Sequence, residues 1–346
     1  MNTASHNKNV RHSGVGRFLI PFVLIAAFTG CRHTDEPVRL FGEAQGTYYS
    51  VQYYDPQHRN LQASIDSLLD NFDRSASLWV DSSLLRRLNA NLTDSLDDIL
   101  FSLLTHSIFI EDYTDVAFNC RVGRIVQAWG FSFRERSEPD STTLATMLKA
   151  AHAPFTINNH RLTEKDPDTE FDFNAIAQGY ASDLVGALLD SMGIHNYLVD
   201  IGGEVVARGC KAGGSPWRVG IERPAPEATS TPVVQTTIAL HDASVVTSGN
   251  YRKYYERDGV RYSHTIDPAT GRPVQHSLLS VSVADKDCWL ADAMATAYMV
   301  MGLDSARTFI DTHRGQPGTD AVLFLYDDHG TLASYATPAF EQLIIK

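Results

Sequence analysis

The chain has 346 residues, 43% hydrophobic and 20% charged, enough for one large domain or two modest ones and unlike a disordered chain. Its formal net charge of −12 argues against nucleic acid as a partner, because phosphates would be repelled without a large basic patch. For the same reason a phosphate-bearing substrate needs a metal ion or a local Lys/Arg cluster. The four cysteines, Cys31, Cys120, Cys210 and Cys288, include no pair at CxxC spacing, so neither a zinc ribbon nor a thioredoxin-type site is suggested.

Residues 1–30 read as a targeting segment. Arg11, His12 and Arg17 form a basic start, and Phe18 to Phe28 is an apolar run interrupted by Pro21, too short to span a bilayer. The run ends Phe28-Thr29-Gly30-Cys31, small residues leading into a cysteine, as in a bacterial lipoprotein signal. The alternative is a signal peptide cut at small residues with Cys31 incidental. On the lipoprotein reading, Cys31 is lipidated, residues 31–37 are a polar tether, and residues 38–346 fold on the periplasmic or other extracytoplasmic side of a bacterial membrane.

Val38 to Tyr54 alternates around Gly46-Thr47 and predicts a strand or hairpin. Leu61 to Phe72 places Leu61, Ile65, Leu68, Leu69 and Phe72 on one helical stripe. Ser83 to Asn89 predicts a short helix, Ile99 to Tyr113 a core helix, and residues 134–170 a helix followed by a hairpin. Gly179 to Met192 is helical, with Gly193 as its stop. Strands are expected at Tyr197–Ile201, Val205–Arg208, Trp217–Glu222, Thr236–Leu240 and Ser280–Ala284. Pro224 to Pro232 reads as an irregular connection. Trp289 to Met301 is a second long apolar helix stopped near Gly302, and Ala321–Tyr326 with Thr331–Tyr335 makes a closing hairpin. Without strict βαβ alternation, the class is α+β, with mixed or antiparallel sheets and packed helices.

Four stretches concentrate chemistry. Asp172 to Tyr180 sets a carboxylate ahead of small residues and Gly179 at a helix start, where free N–H groups favour phosphate; the alternative makes Asp172 a plain helix cap and the small residues a means of close packing. Asp200-Ile201-Gly202-Gly203-Glu204 ends a strand in paired glycines, either for close ligand approach or as an ordinary tight turn. Thr247-Ser248-Gly249 and Tyr262-Ser263-His264 through Asp267-Pro268 to Thr270-Gly271 pack hydroxyls, a histidine and an aspartate into loop-prone sequence. There His264 is a candidate general base, against the commoner structural or solvated histidine. Asp292 and Thr296, four apart, share a helix face and supply two hard oxygens of the kind Mg²⁺ accepts. The competing view makes Asp292 the cap of a helix starting at Ala293, with Thr296 bonding the preceding turn.

Taken in order, these phrases resemble the FAD:protein FMN transferase (ApbE) family over about Gly42 to Gly302. Gln45-Gly46-Thr47, Ser77-Leu78-Trp79, Ala117-Phe118-Asn119 running into Trp129-Gly130-Phe131, and Pro216-Trp217 join the four stretches in carrying the likeness. The resemblance implies an ApbE-like, T-fold-related architecture over residues 38–346. It also implies FAD as substrate, Mg²⁺ or Ca²⁺ as the metal, and an acceptor protein that is a subunit of a membrane redox complex. Residue by residue, it puts metal ligands at Asp292, Thr296 and the Ala175 carbonyl. Flavin contacts fall on Gln45, Trp79, Ala117, Phe118, Asn119, Asp172, Gln178 and Ile266, and the histidine of the Ser-His loop on His264.

Three positions depart from the family pattern. Gln178 stands where many members carry Lys or Glu, Asn119 where Asp is frequent, and Gln45 where Met is usual. For Trp79, stacking on a flavin or adenine ring competes with a place in the core. Two other functions stay open: an FAD pyrophosphatase yielding FMN and AMP, and a lipid-anchored FAD-binding protein without catalysis.

Overall fold

Gln45 and Gly46 both take positive φ, 53° and 71°, which matches the twist of a two-residue hairpin and folds Val38–Ala44 (β1) back on Thr47–Tyr53 (β2). The computed structural model describes residues 36–131, 139–224, 233–250, 254–257 and 260–346. The signal segment, Cys31 and most of the connection after Pro224 lie outside them.

Four helices follow: Gln62–Ala76 (α1), Leu84–Asn89 (α2), Asp98–Tyr113 (α3) and Gly123–Ala128 (α4). Ser83 caps α2 by accepting the Arg86 N–H, and Asp97 caps α3 by accepting that of Leu100. Next come Ser141–Ala151 (α5), the small hairpin Thr156–Asn158 (β3) and Arg161–Thr163 (β4), and Ala177–Ser191 (α6). The second half begins with Tyr197–Ile201 (β5), Glu204–Arg208 (β6), Trp217–Glu222 (β7), Val234–Leu240 (β8) and Ala243–Gly249 (β9). Short pairs Tyr254–Arg257 (β10) with Val260–Ser263 (β11), and Ile266–Asp267 (β12) with Arg272–Pro273 (β13), lead to Leu278–Asp285 (β14) and Cys288–Thr312 (α7). Ala321–Asp328 (β15), Thr331–Ala336 (β16) and Pro338–Leu343 (α8) close the chain.

One antiparallel sheet organises these elements in the order β1-β2-β5-β6-β9-β14-β15-β16. Alternation along β5 sends Tyr197, Val199 and Ile201 into the core that holds α1, α3, α6 and α7. The opposite face packs Val205, Ala207, Val245 and Leu325 against Trp217 and Ile238 of the β7–β8 hairpin and Phe340 of α8. This is the α+β class expected from the sequence. No helix among the described residues is long and apolar enough to cross a membrane.

Two expectations change. Thr247-Ser248-Gly249, read as loop-prone, is the end of a central strand, because β14 pairs with it from Ser280↔Gly249 to Asp285↔Ser244. Gly302 does take a non-helical conformation (φ 74°, ψ 170°), but the helix resumes beyond it to Thr312, where Ala306 and Ile310 are buried in the core. Local conformation predicts the break, and apolar packing carries the helix past it.

Several turns gather at one end of the sheet. The β1–β2 turn lies beside the β5–β6 turn, since Gly202 N–H donates to Tyr48 O at 3.0 Å. The C-terminal end of β9 and the start of β14 lie at the same end of the sheet. The start of α6 reaches this end through Gln178 beside Gly202, and α7 reaches it through Thr296, whose hydroxyl meets that of Ser248.

Candidate active site

The hub is the stretch 170–179. Gly123 N–H donates to Glu170 O, and Asp172 N–H donates to Cys120 O at 2.7 Å, so the Ala117–Asn119 loop runs beside Asp172. Asn89 exchanges two hydrogen bonds with the Phe171 backbone, which ties the Trp79 segment to the same place. Gln178 reaches the sheet edge: a Cβ on Gly202 would meet Gln178 Nε2 at 2.9 Å and Thr47 Cγ2 at 2.8 Å. Glycine is therefore required there by close approach as well as by its φ of +68°.

Asp172 precedes the helix rather than capping it. Its Oδ1 accepts the Asn174 N–H at 2.8 Å, while Oδ2 is buried with no hydrogen-bond partner among the described residues. Burial raises its pKa to about 6. Gln45 resembles it: both amide atoms are buried without a partner among the described residues. Unsatisfied buried polar atoms are uncommon in native proteins and invite a ligand group. Two of the candidate flavin contacts thus carry unmet hydrogen-bonding capacity.

The other candidates divide. Trp79 is 64% exposed, which removes the core reading. Ala117 is half-buried, Phe118 is buried in the main core, and Ile266 is buried against Ile125, Trp129 and Leu144. Asn119 is buried with its amide engaged inside the protein: Nδ2 donates to Ala151 O at 3.2 Å, and Oδ1 accepts the Arg121 N–H at 2.7 Å. In this arrangement the Asn119 side chain shapes the loop. Just before it, Val116 has a φ of 69°, a left-handed conformation rare for a β-branched residue.

Around the proposed metal ligands the packing is close. The helix α7 begins at Cys288, so Asp292 lies inside it, and the picture of Asp292 as that helix's cap does not apply. Instead Asp292 Oδ2 accepts the Gly179 N–H, in the first turn of α6, at 3.0 Å. Asp292 is 5% exposed, and burial, reinforced by the charge of Asp183, raises its pKa to about 7. One turn further, the half-buried Thr296 turns its hydroxyl to Ser248 Oγ at 3.2 Å rather than to its own helix. Ala175, half-buried, lies two residues before α6. The paired Gly202 and Gly203 make a tight turn, as one of the two readings held.

His264 is half-buried near Phe131, ring centroids 6.4 Å apart. Its loop is anchored by Trp129, whose indole N–H donates to Gly271 O at 2.8 Å, and by His152 Nε2, which donates to Pro268 O. The helix α4 that carries Trp129's neighbours is itself tied to Glu170, so the His264 loop hangs from the same hub.

Sequence reasoning missed Asp183. Its two carboxylate oxygens accept the N–H groups of Cys288 and Trp289 at 3.1 and 2.9 Å. The available signal was its place four residues after Gly179, on the same face of α6.

One antiparallel sheet, α6 and α7 with their first turns side by side, and the unmet polar atoms of Gln45 and Asp172 define an α+β protein with a candidate ligand site. A profile of the ApbE family matches residues 45–323. The FAD:protein FMN transferase of Vibrio cholerae is 33% identical over 341 residues, 95% of this chain and 99% of that protein. The Escherichia coli K12 protein of the same name is 30% identical over 339 residues, covering 92% and 94%. The solved structure of the flavin transferase ApbE from Vibrio cholerae has a TM-score of 0.77 at 32% identity, covering 89% of this chain and 99% of the other. The ApbE protein of Thermotoga maritima has a TM-score of 0.78 at 26% identity, covering 90% and 100%. This chain belongs to the ApbE family.

Proposed function

We propose that this chain transfers the FMN half of FAD to a Thr or Ser hydroxyl of an acceptor protein. The acceptor oxygen forms a bond to the FMN phosphorus, the bond from that phosphorus to the bridging oxygen breaks, and AMP leaves with the electron pair. Similarity to FAD:protein FMN transferases over nearly their whole length supports this reading. The observation that carries it is the buried Asp292 carboxylate, fixed by the Gly179 N–H with the Thr296 hydroxyl one turn along.

The donor set fits a hard divalent cation, Mg²⁺ or Ca²⁺. Asp292, Thr296 and the Ala175 carbonyl would hold it through oxygen alone, and no group of three or more His, Cys, Asp or Glu competes among the described residues. When bound, such a cation would neutralise diphosphate charge in an acidic protein and make AMP a better leaving group. His264 takes the proton of the acceptor hydroxyl. Gln45 and Asp172 orient the flavin half through their unmet polar atoms, and Trp79 stacks on an exposed ring.

The lipid anchor at Cys31, an extracytoplasmic location and an acceptor within a membrane redox complex belong to the same proposal and rest on the sequence. The test is to incubate the full chain with FAD, Mg²⁺ and a candidate acceptor subunit and measure acceptor mass. Gain of one FMN on a Thr or Ser supports the reading. Free FMN and AMP alone would make the protein a pyrophosphatase, and intact FAD would make it a binding protein.

A further inference from the structure

The helices α6 and α7 cap each other. Asp287, in the N-cap position of α7, makes no side-chain cap bond, and Ile176, in that of α6, has no side chain able to make one. Free N–H groups at the start of α7 are met from α6 by Asp183, which accepts from Cys288 and Trp289 with one oxygen each. The Gly179 N–H at the start of α6 is met from α7 by Asp292. Further along α7, His276 Nε2 donates to Met299 O at 2.7 Å, just before the break at Gly302. Asp292 and Thr296 lie between these two attachments.

We propose that Asp183 is a positioning residue for the cation site. By gripping the first two N–H groups of α7, it sets how far α7 can slide along α6. That distance governs the separation of Asp292 and Thr296 from the Ala175 carbonyl, which precedes α6. The inference rests on the ligand assignment made under the proposed function. A hydrogen bond that orients a ligand-bearing element typically changes metal affinity when removed, even though it never touches the metal.

The test is Mg²⁺ binding to the FAD-free full chain by calorimetry, paired with the Mg²⁺ dependence of transfer. Asp183→Ala should raise the Mg²⁺ dissociation constant by about tenfold or more, while kcat at saturating Mg²⁺ changes by less than about threefold. Asp183→Asn keeps one acceptor oxygen and should fall between that variant and the parent. Ile238→Val, in the buried cluster on the opposite face of the sheet, should lower stability without moving Mg²⁺ affinity. If Asp183→Ala does not fold, Asp183→Asn decides. Parental Mg²⁺ affinity in the Asp183 variants overturns the inference while the ligand assignment stands, provided that Asp292→Ala abolishes binding. Parental affinity in Asp292→Ala overturns the ligand assignment and the inference with it.

Discussion

Asp292 and Gly179 stand 113 positions apart in the chain and meet through a single hydrogen bond, the Gly179 N–H donating to Oδ2 at 3.0 Å. The bond is possible because residue 179 has no side chain. A Cβ there would come within 2.5 Å of Cys288 O and 2.7 Å of Asp292 Cβ. One carboxylate thereby completes the first turn of α6 and is presented next to the phosphate-favouring helix start.

Gly179→Ala should therefore destabilise the protein by about 1–3 kcal/mol, the usual range for overpacking, although alanine is the better helix former. Urea unfolding checks it. The variant should also bind Mg²⁺ more weakly, because α6 must move away from α7. Stability equal to the parent would mean that the two helices do not meet this tightly.

Stability of the FAD- and metal-free protein should fall as pH rises through the neutral range. Burial raises Asp172 and Asp183 to about 6 and Asp292 to about 7, from an ordinary 3.8. Between those values the folded protein holds more protons than the unfolded one, so the contribution is fully present below 3.8 and lost as pH rises through the raised values. His106, lowered from 6.5 by burial, works in the opposite sense and is outnumbered. Thermal unfolding should give a higher Tm at about pH 5 than at about pH 8. Added Mg²⁺ should stabilise more at the higher pH, where Asp292 is ionised.

Trp79→Ala should leave stability within about 0.5 kcal/mol of the parent, as for most exposed positions. FAD affinity should fall up to about tenfold if the ring stacks on the ligand. Fluorescence titration and thermal unfolding together separate the two effects. A large loss of Tm with unchanged FAD affinity would assign Trp79 a purely structural role.

Asn119→Asp preserves shape, yet it should destabilise this chain by about 2 kcal/mol. The amide donor facing Ala151 O would become an acceptor, close to the Glu111 carboxylate. Urea unfolding at neutral pH measures the loss. A stable variant would show that the loop accommodates either residue.

Much of the scaffold is legible in the sequence. A strand or helix with one face in the core must repeat its apolar residues at the matching period, as the β1–β2 hairpin, α1, α3 and α6 do, while the first half of α7, buried on nearly all sides, shows instead as a continuous apolar run. Order and wording of the short phrases, Asp172 to Tyr180 and Asp200 to Glu204 among them, also marked the family in combination, although each alone has a plain packing or turn reading. Periodicity could not find the end of β9, where Thr247, Ser248 and Gly249 are small and polar and the strand exists because β14 lies alongside.

Residue types named candidates, but their surroundings were decided across space. Whether Asp292 capped a helix of its own or faced another depended on where α7 starts, at Cys288, whose N–H and that of Trp289 are met by Asp183 from 105 and 106 positions away. Exposure of Trp79 and inward burial of Asn119 likewise follow from which neighbours arrive. Hydrogen bonds between distant segments leave no spacing in the chain, since each partner's position is set by the packing of the elements that carry it.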